Sequence, residues 1–158
     1  MRYKALILAS IFCLLPLNTW AETIKEKTAV IFGKTSQNKE SISLKYEITP
    51  NGQAINAVAL DLDYPADKLT LTSVNRSSSF CLFFIEEEIN NTKGHLLFSC
   101  GLPNPGISTT SEIIKINFKK KKAGSINFHL SEETMALAND GLGTDILKEA
   151  VDTKLIIK

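Results

Sequence analysis

Apolar and polar residues alternate with a period of two along most of this chain, and that pattern restricts its fold more than any other feature. Ile42, Leu44, Tyr46 and Ile48 alternate with Ser41, Ser43, Lys45 and Glu47. Val58, Leu60, Leu62 and Tyr64 alternate with Ala57, Ala59, Asp61 and Asp63. The same reading holds for Ile114, Ile116 and Phe118, and again for Ile126, Phe128 and Leu130. Successive side chains of a strand point to opposite faces, so each run offers one face to a core and one to water. Turn residues separate the runs: Pro50-Asn51-Gly52, Asn90 through Gly94, Leu102-Pro103-Asn104-Pro105-Gly106, Ala123-Gly124 and Asn139 through Gly143. Nine strands are expected, at 24–32, 41–49, 55–64, 68–75, 79–88, 94–101, 112–120, 125–130 and 151–157. No segment carries a convincing helical stripe, and residues 132–138 have room for one short turn. Many short strands joined by Gly, Pro and Asn turns imply an all-β sandwich or barrel in a single domain.

The hairpin expected at residues 90–94 bears on the cysteines. If the chain reverses near Asn91-Thr92, Cys81 and Cys100 fall near opposite positions on adjacent strands, with a bulge to adjust the geometry. A disulfide between them is expected. In Phe80-Cys81-Leu82-Phe83-Phe84-Ile85 both faces are apolar. Such a segment is either covered on both sides or leaves an aromatic face exposed, which would mark a binding site.

The first residues carry an address. Arg2 and Lys4 precede an apolar, uncharged run over 5–17, interrupted only by Ser10 and Pro16, and Asn18-Thr19-Trp20-Ala21 follows. This is the layout of a secretory signal, with cleavage expected between Ala21 and Glu22. The run is short for a bilayer span of ~20 residues, so no stable membrane span is expected after its removal. The expected organisation is therefore a signal at 1–21 and one β-domain at 22–158, secreted or periplasmic. Cleavage removes Cys13 and leaves Cys81 and Cys100 as a pair suited to an oxidising compartment. It removes the only tryptophan, Trp20. Losing Arg2 and Lys4 from 18 basic residues leaves 16 against 17 acidic, with Arg76 the one remaining arginine. Nucleic-acid binding needs a basic surface to neutralise phosphates, so no nucleic-acid partner is expected.

No residue pattern reads as catalytic, and no cofactor or metal is expected. His95 and His129 lie on separate expected strands, with no ligand partner at metal-binding spacing in the sequence. Glu86-Glu87-Glu88 point to alternate faces and read as a solvated strand that discourages edge pairing. Asn139, Asp140 and Asp145 offer oxygen ligands, but the glycines among them favour a turn over a calcium site. The lysines at 119–122 read as a solvated strand end. Exposed Trp or Tyr platforms for sugar stacking are absent, since Tyr46 and Tyr64 lie on expected core faces.

Several blocks resemble cohesin domains. Gly52-Gln53-Ala54-Ile55-Asn56-Ala57-Val58 resembles the family's lead into its third strand. Leu60-Asp61-Leu62-Asp63-Tyr64 with Leu69-Thr70-Leu71 resembles the next strand pair and its Tyr-centred turn. Phe98 to Gly106, Ile116-Asn117-Phe118-Lys119 with Ala123-Gly124, and the residues from Leu137 to Asp145 follow in register. The resemblance implies a nine-stranded two-sheet jelly-roll sandwich, cohesin-like and non-catalytic, with a sheet face for a protein or glycan partner. Asp61, Asp63, Phe83 and Phe84 are the expected partner face. Where family members place an Asn and an Asp that contact dockerin, this chain has Ala57 and Ala59. The alternative expectation is a structural subunit that assembles with itself or with a larger envelope complex; the oligomeric state stays open.

Overall fold

The computed structural model describes residues 26–158. The expected signal segment and its cleavage point between Ala21 and Glu22 lie outside the described residues. Eleven strands follow: β1 Ala29–Gln37, β2 Ser41–Thr49, β3 Ile55–Asp63, β4 Leu69–Asn75, β5 Phe83–Asn90, β6 His95–Gly101, β7 Ser111–Lys120, β8 Gly124–Leu130, β9 Met135–Ala138, β10 Leu147–Ala150 and β11 Thr153–Ile157. They form two sheets, ordered β10-β1-β2-β7-β4 and β11-β8-β3-β6-β5, with β9 paired to β3. The expected all-β sandwich is what the chain forms, with two more strands than the nine expected.

The alternating runs fill the space between the sheets. Ile42, Leu44, Tyr46 and Ile48 of β2 are fully buried, as are Ile114, Ile116 and Phe118 of β7. They face Val58, Leu60 and Leu62 of β3, Leu96 and Phe98 of β6, and Ile126 and Phe128 of β8, all buried. Burying each such side chain is worth ~1.5–3 kcal/mol. Phe118 joins the layers: its ring centroid lies 5.1 Å from that of Tyr64 and 5.0 Å from that of Phe128. Tyr64 then reaches the surface. Its hydroxyl donates to Asn91 Oδ1 at 3.0 Å, and burial pushes its pKa up to about 12, so it remains a donor. The Asn91 side chain also accepts from Leu71 N at 2.7 Å and donates to Leu71 O at 3.0 Å. The β5–β6 hairpin loop is thereby tied to β4 of the other sheet. Gly94 closes that loop at φ +76°, pressed against the Tyr64 carbonyl where a Cβ would not fit. At the far side of the sandwich, Gly33 leaves room for Thr153, letting β1 and β11 close together.

Several expectations are corrected. The short turn within 132–138 is confined to the start of that segment, and the rest is a strand. A turn closed by Thr134 N to Ser131 O at 3.1 Å is followed by β9. β8 pairs with β3 only at Leu62 and Asp63, which leaves the other half of β3 to be covered by β9 through Ala59–Met135, Val58–Ala136 and Ala57–Leu137. β10 was also missed; it pairs in parallel with β1, a non-local partner that no hairpin turn announces. The fifth strand begins at Phe83 and not at 79, because residues 80–82 cross between sheets. Phe80 N donates to Glu112 O at 2.9 Å on β7, and Leu82 N donates to Gly101 O at 2.9 Å at the end of β6. Likewise β1 begins at Ala29 and extends to Gln37, beyond the expected end at 32.

The disulfide sits on that crossing. Cys81 turns inward and bonds Cys100 of β6, with Cα atoms 5.8 Å apart and both residues buried. It is not a pair of facing strand residues: Phe84 stands opposite Cys100, and the extra residue Ile85 shifts the β5–β6 register. Replacing both cysteines by alanine is expected to lower stability by about 3 kcal/mol in denaturant unfolding. Peptide mass analysis of the unreduced protein should give one linked Cys81–Cys100 peptide pair, and two free thiols would contradict the bond.

Candidate functional site

The outer faces of the two sheets differ in character. Cross-strand partners share a face, so the registers define rows across the six-stranded sheet. One row reads Leu137, Ala57, Gly101, Phe83 and the next Met135, Ala59, Ser99, Glu86. Then come Asp61, Leu97, Glu88, and last His129, Asp63, His95, Asn90. The centre is small and flat: Ala57, Ala59, Leu97, Ser99 and Leu137 are each half-buried. Two half-exposed apolar side chains, Met135 and Phe83, flank it, at 40% and 60% exposure. The polar row of histidines and aspartates closes one end.

The four residues of the expected partner face do not stay together. Asp61, Asp63 and Phe83 lie on this outer face. Phe84 does not, because it faces Cys100, whose side chain points inward. Its ring centroid lies 6.1 Å from that of buried Phe98, and the Arg76 guanidinium covers it at 4.6 Å. Arg76 also pairs with Glu87, its Nε donating to Oε2 at 3.1 Å. Arg76, the one arginine among the described residues, thus caps the flank beside β5 and is spent within the fold. Segment 80–85 resolves in favour of exposure: Leu82 and Ile85 are 67% and 72% exposed beside Phe83. The edge strand carries Glu86, Glu87 and Glu88 exposed to solvent, as expected of a protected edge.

The histidines are corrected in one respect. Each has a carboxylate partner that sequence spacing hides. His95 Nε2 lies 2.7 Å from Asp61 Oδ1, and Asp63 stands directly opposite His95. His129 Nδ1 lies 2.9 Å from Asp152 Oδ1. Asp152 also accepts from Asn127 Nδ2 at 3.2 Å and Leu130 N at 3.3 Å, fastening the chain between β10 and β11 onto β8. The signal that could have found these pairs is strand pairing, β3 with β6 for the first and β11 with β8 for the second, not residue spacing.

The other expected chemistry resolves as structure. Asp145 accepts from Ala136 N at 3.1 Å and Leu147 N at 3.0 Å, so it fastens the 139–146 turn as the glycines there suggested. Lys120 and Lys121 donate to the carbonyls of Asn38 and Ala66 at 2.5 and 2.6 Å. The outer face of the five-stranded sheet is polar: Lys34 and Lys45 both pair with Glu47, at 2.5 and 2.6 Å. Beside them Ser43 donates to Asn117, which donates to Ser73.

Solved structures with similar folds are cohesins. A cohesin of Clostridium acetobutylicum, CaCohA2, matches with a TM-score of 0.67 and 18% identity, over 85% of this chain and 94% of that one. The sixth cohesin of Acetivibrio cellulolyticus scaffoldin B, solved in complex with a dockerin, matches with a TM-score of 0.67 and 14% identity, over 85% of this chain and all of that one. A non-cellulosomal cohesin of the archaeon Archaeoglobus fulgidus matches with a TM-score of 0.64 and 17% identity, over 83% and 91%. No protein-family model and no curated protein matches the sequence. The fold is cohesin-like.

Asp152 carries a pH signature. Burial raises its pKa, but the bonds from His129, Asn127 and Leu130 outweigh burial and hold it below the ordinary 3.8. A carboxyl depressed on folding adds stability above its unfolded pKa, and that contribution disappears as pH falls through the folded value. Asp152→Asn is expected to cost about 1 kcal/mol at neutral pH, a hydrogen-bond value discounted for a partly exposed group. Denaturant unfolding should show the difference from wild type shrinking as pH falls below 3.8. A difference unchanged by pH would contradict the assignment.

Proposed function

We propose that this chain is an exported, non-catalytic module that binds a protein partner through the outer face of its six-stranded sheet. The observation that carries the reading is that face itself: flat, small-residue and half-buried at its centre, with apolar side chains exposed at its margin. Interfaces concentrate binding energy in such apolar centres with polar rims. The opposite sheet presents lysines and hydrogen-bonded amides and hydroxyls, and has no comparable centre. The cohesin-like fold points to a dockerin-like partner, since structures of the same fold include cohesins bound to dockerins. Ala57 and Ala59 bring little hydrogen bonding, so recognition rests on shape and apolar contact, with Asp61, Asp63 and Phe83 at the rim. The Cys81–Cys100 bond supports an extracytoplasmic location, where such bonds persist. It accords with a signal at 1–21 ahead of the domain at 22–158.

One observation favours a second reading. Leu82, Phe83 and Ile85 form an apolar lip on the open edge of the sheet. A lip of this kind suits association between copies of the chain, as a structural subunit would require.

Both readings are tested together. The mature protein is titrated against a panel of purified dockerin modules, and its mass in solution is followed by sedimentation. Binding to a member of the panel is expected, weakened on the order of 100-fold by Ala59→Arg at the centre of the face, about 2.7 kcal/mol, and unchanged by Lys115→Glu on the other sheet. No binding across the panel, or equal loss with both variants, would overturn the docking reading. Concentration-dependent assembly abolished by Phe83→Ser would support the second.

A further inference from the structure

We infer that Asp61, Asp63 and His95 form a binding site for a divalent transition-metal ion on the outer face of the six-stranded sheet. Three features of the arrangement carry the inference. Topology gathers the donors: Asp61 and Asp63 are two apart on β3 and share a face, and His95 of β6 stands directly opposite Asp63. Their ligating atoms, one from each residue, all lie within 4.8 Å of one another. A single ion placed among them would touch all three without any strand moving.

The second feature is the charge balance. One imidazole faces two carboxylates. His95 Nε2 satisfies Asp61 at 2.7 Å, whereas the Asp63 carboxylate has no hydrogen bond or ion pair among the described residues. Two lysines line the same cavity as Asp63: Lys68, engaged by the Ser125 carbonyl at 3.0 Å, and Lys93, and neither forms an ion pair with it. Like charges on neighbouring side chains of one face repel, and a divalent cation would neutralise both at once.

The third is donor chemistry. One nitrogen and two carboxylate oxygens suit Zn²⁺, Co²⁺ or Mn²⁺, which accept mixed N and O ligands. Ca²⁺ and Mg²⁺ are ligated by oxygen and usually need more of it. Asp61 and His95 are half-buried and Asp63 exposed, so three protein ligands would hold the ion and leave its remaining positions toward solvent. His129 stands across β3 from His95, opposite Asp63, but it is not among the donors that lie within 4.8 Å of one another. The site does not depend on the docking reading, and its test needs no partner.

The experiment is titration of the metal-free mature protein with ZnCl₂ by calorimetry, and with CoCl₂ by visible absorption. One equivalent of Zn²⁺ is expected to bind, with Co²⁺ giving d–d bands at the same stoichiometry. Affinity is expected to fall at least tenfold in both His95→Gln and Asp63→Asn, and to stay unchanged in His129→Gln. These are surface substitutions, and unaltered circular dichroism and melting temperature would show that the variants fold. Absence of binding at millimolar metal, or binding that His95→Gln and Asp63→Asn leave intact, would overturn the inference. Loss in His129→Gln alone would do so as well, since it would place the ion elsewhere.

Discussion

The structure depends on the burial of two apolar sheet faces against each other. Each face is assembled from alternate residues of several strands, and a one-residue slip in any of them would turn its whole apolar set to solvent. Phe118 occupies the middle of this contact, between Tyr64 and Phe128. The polar bonds at the periphery serve that packing. Asn91 binds the β5–β6 loop to Leu71 and Tyr64, and Cys81 pins the crossing between sheets to β6. Because the core takes one residue in two, the other residues are free to vary, and the two outer faces diverge: one polar and lysine-bearing, the other flat and apolar at its centre.

How much of this was legible in the sequence follows from the same physics. The runs on β2, β3, β7 and β8 were readable because strict alternation over several residues has no helical equivalent, and every apolar member of them is buried. β9 and β10 were not readable. Each has four residues, too few for alternation to stand out, and each pairs with a strand far away in sequence. Phe83 and Phe84 show a related limit. Both are apolar and adjacent, and only the register with Gly101 and Cys100 assigns one to the outer face and the other to the flank under Arg76.

The polar end of the candidate face was hidden for the same reason. Asp61, Asp63, His95, His129 and Asp152 are scattered between residues 61 and 152, and no ligand or catalytic spacing connects them. Pairing of β3 with β6 on one side and β8 on the other lines three of them up in one row. The face therefore combines an apolar platform with a cluster of donors at its margin. The fold alone does not dictate either property, since cohesin-like sandwiches can carry different residues on the same strands.

The central claim is that function resides on the outer face of the six-stranded sheet and not on its counterpart. Backbone amide chemical shifts, recorded by NMR before and after addition of a bound dockerin module, test this directly. The account predicts that the perturbed amides cluster at Ala57 to Asp63, His95 to Gly101 and Met135 to Leu137, with those around Lys34, Lys45 and Lys115 unmoved. Perturbations centred on the lysine-bearing face, with β3 and β6 silent, would contradict it.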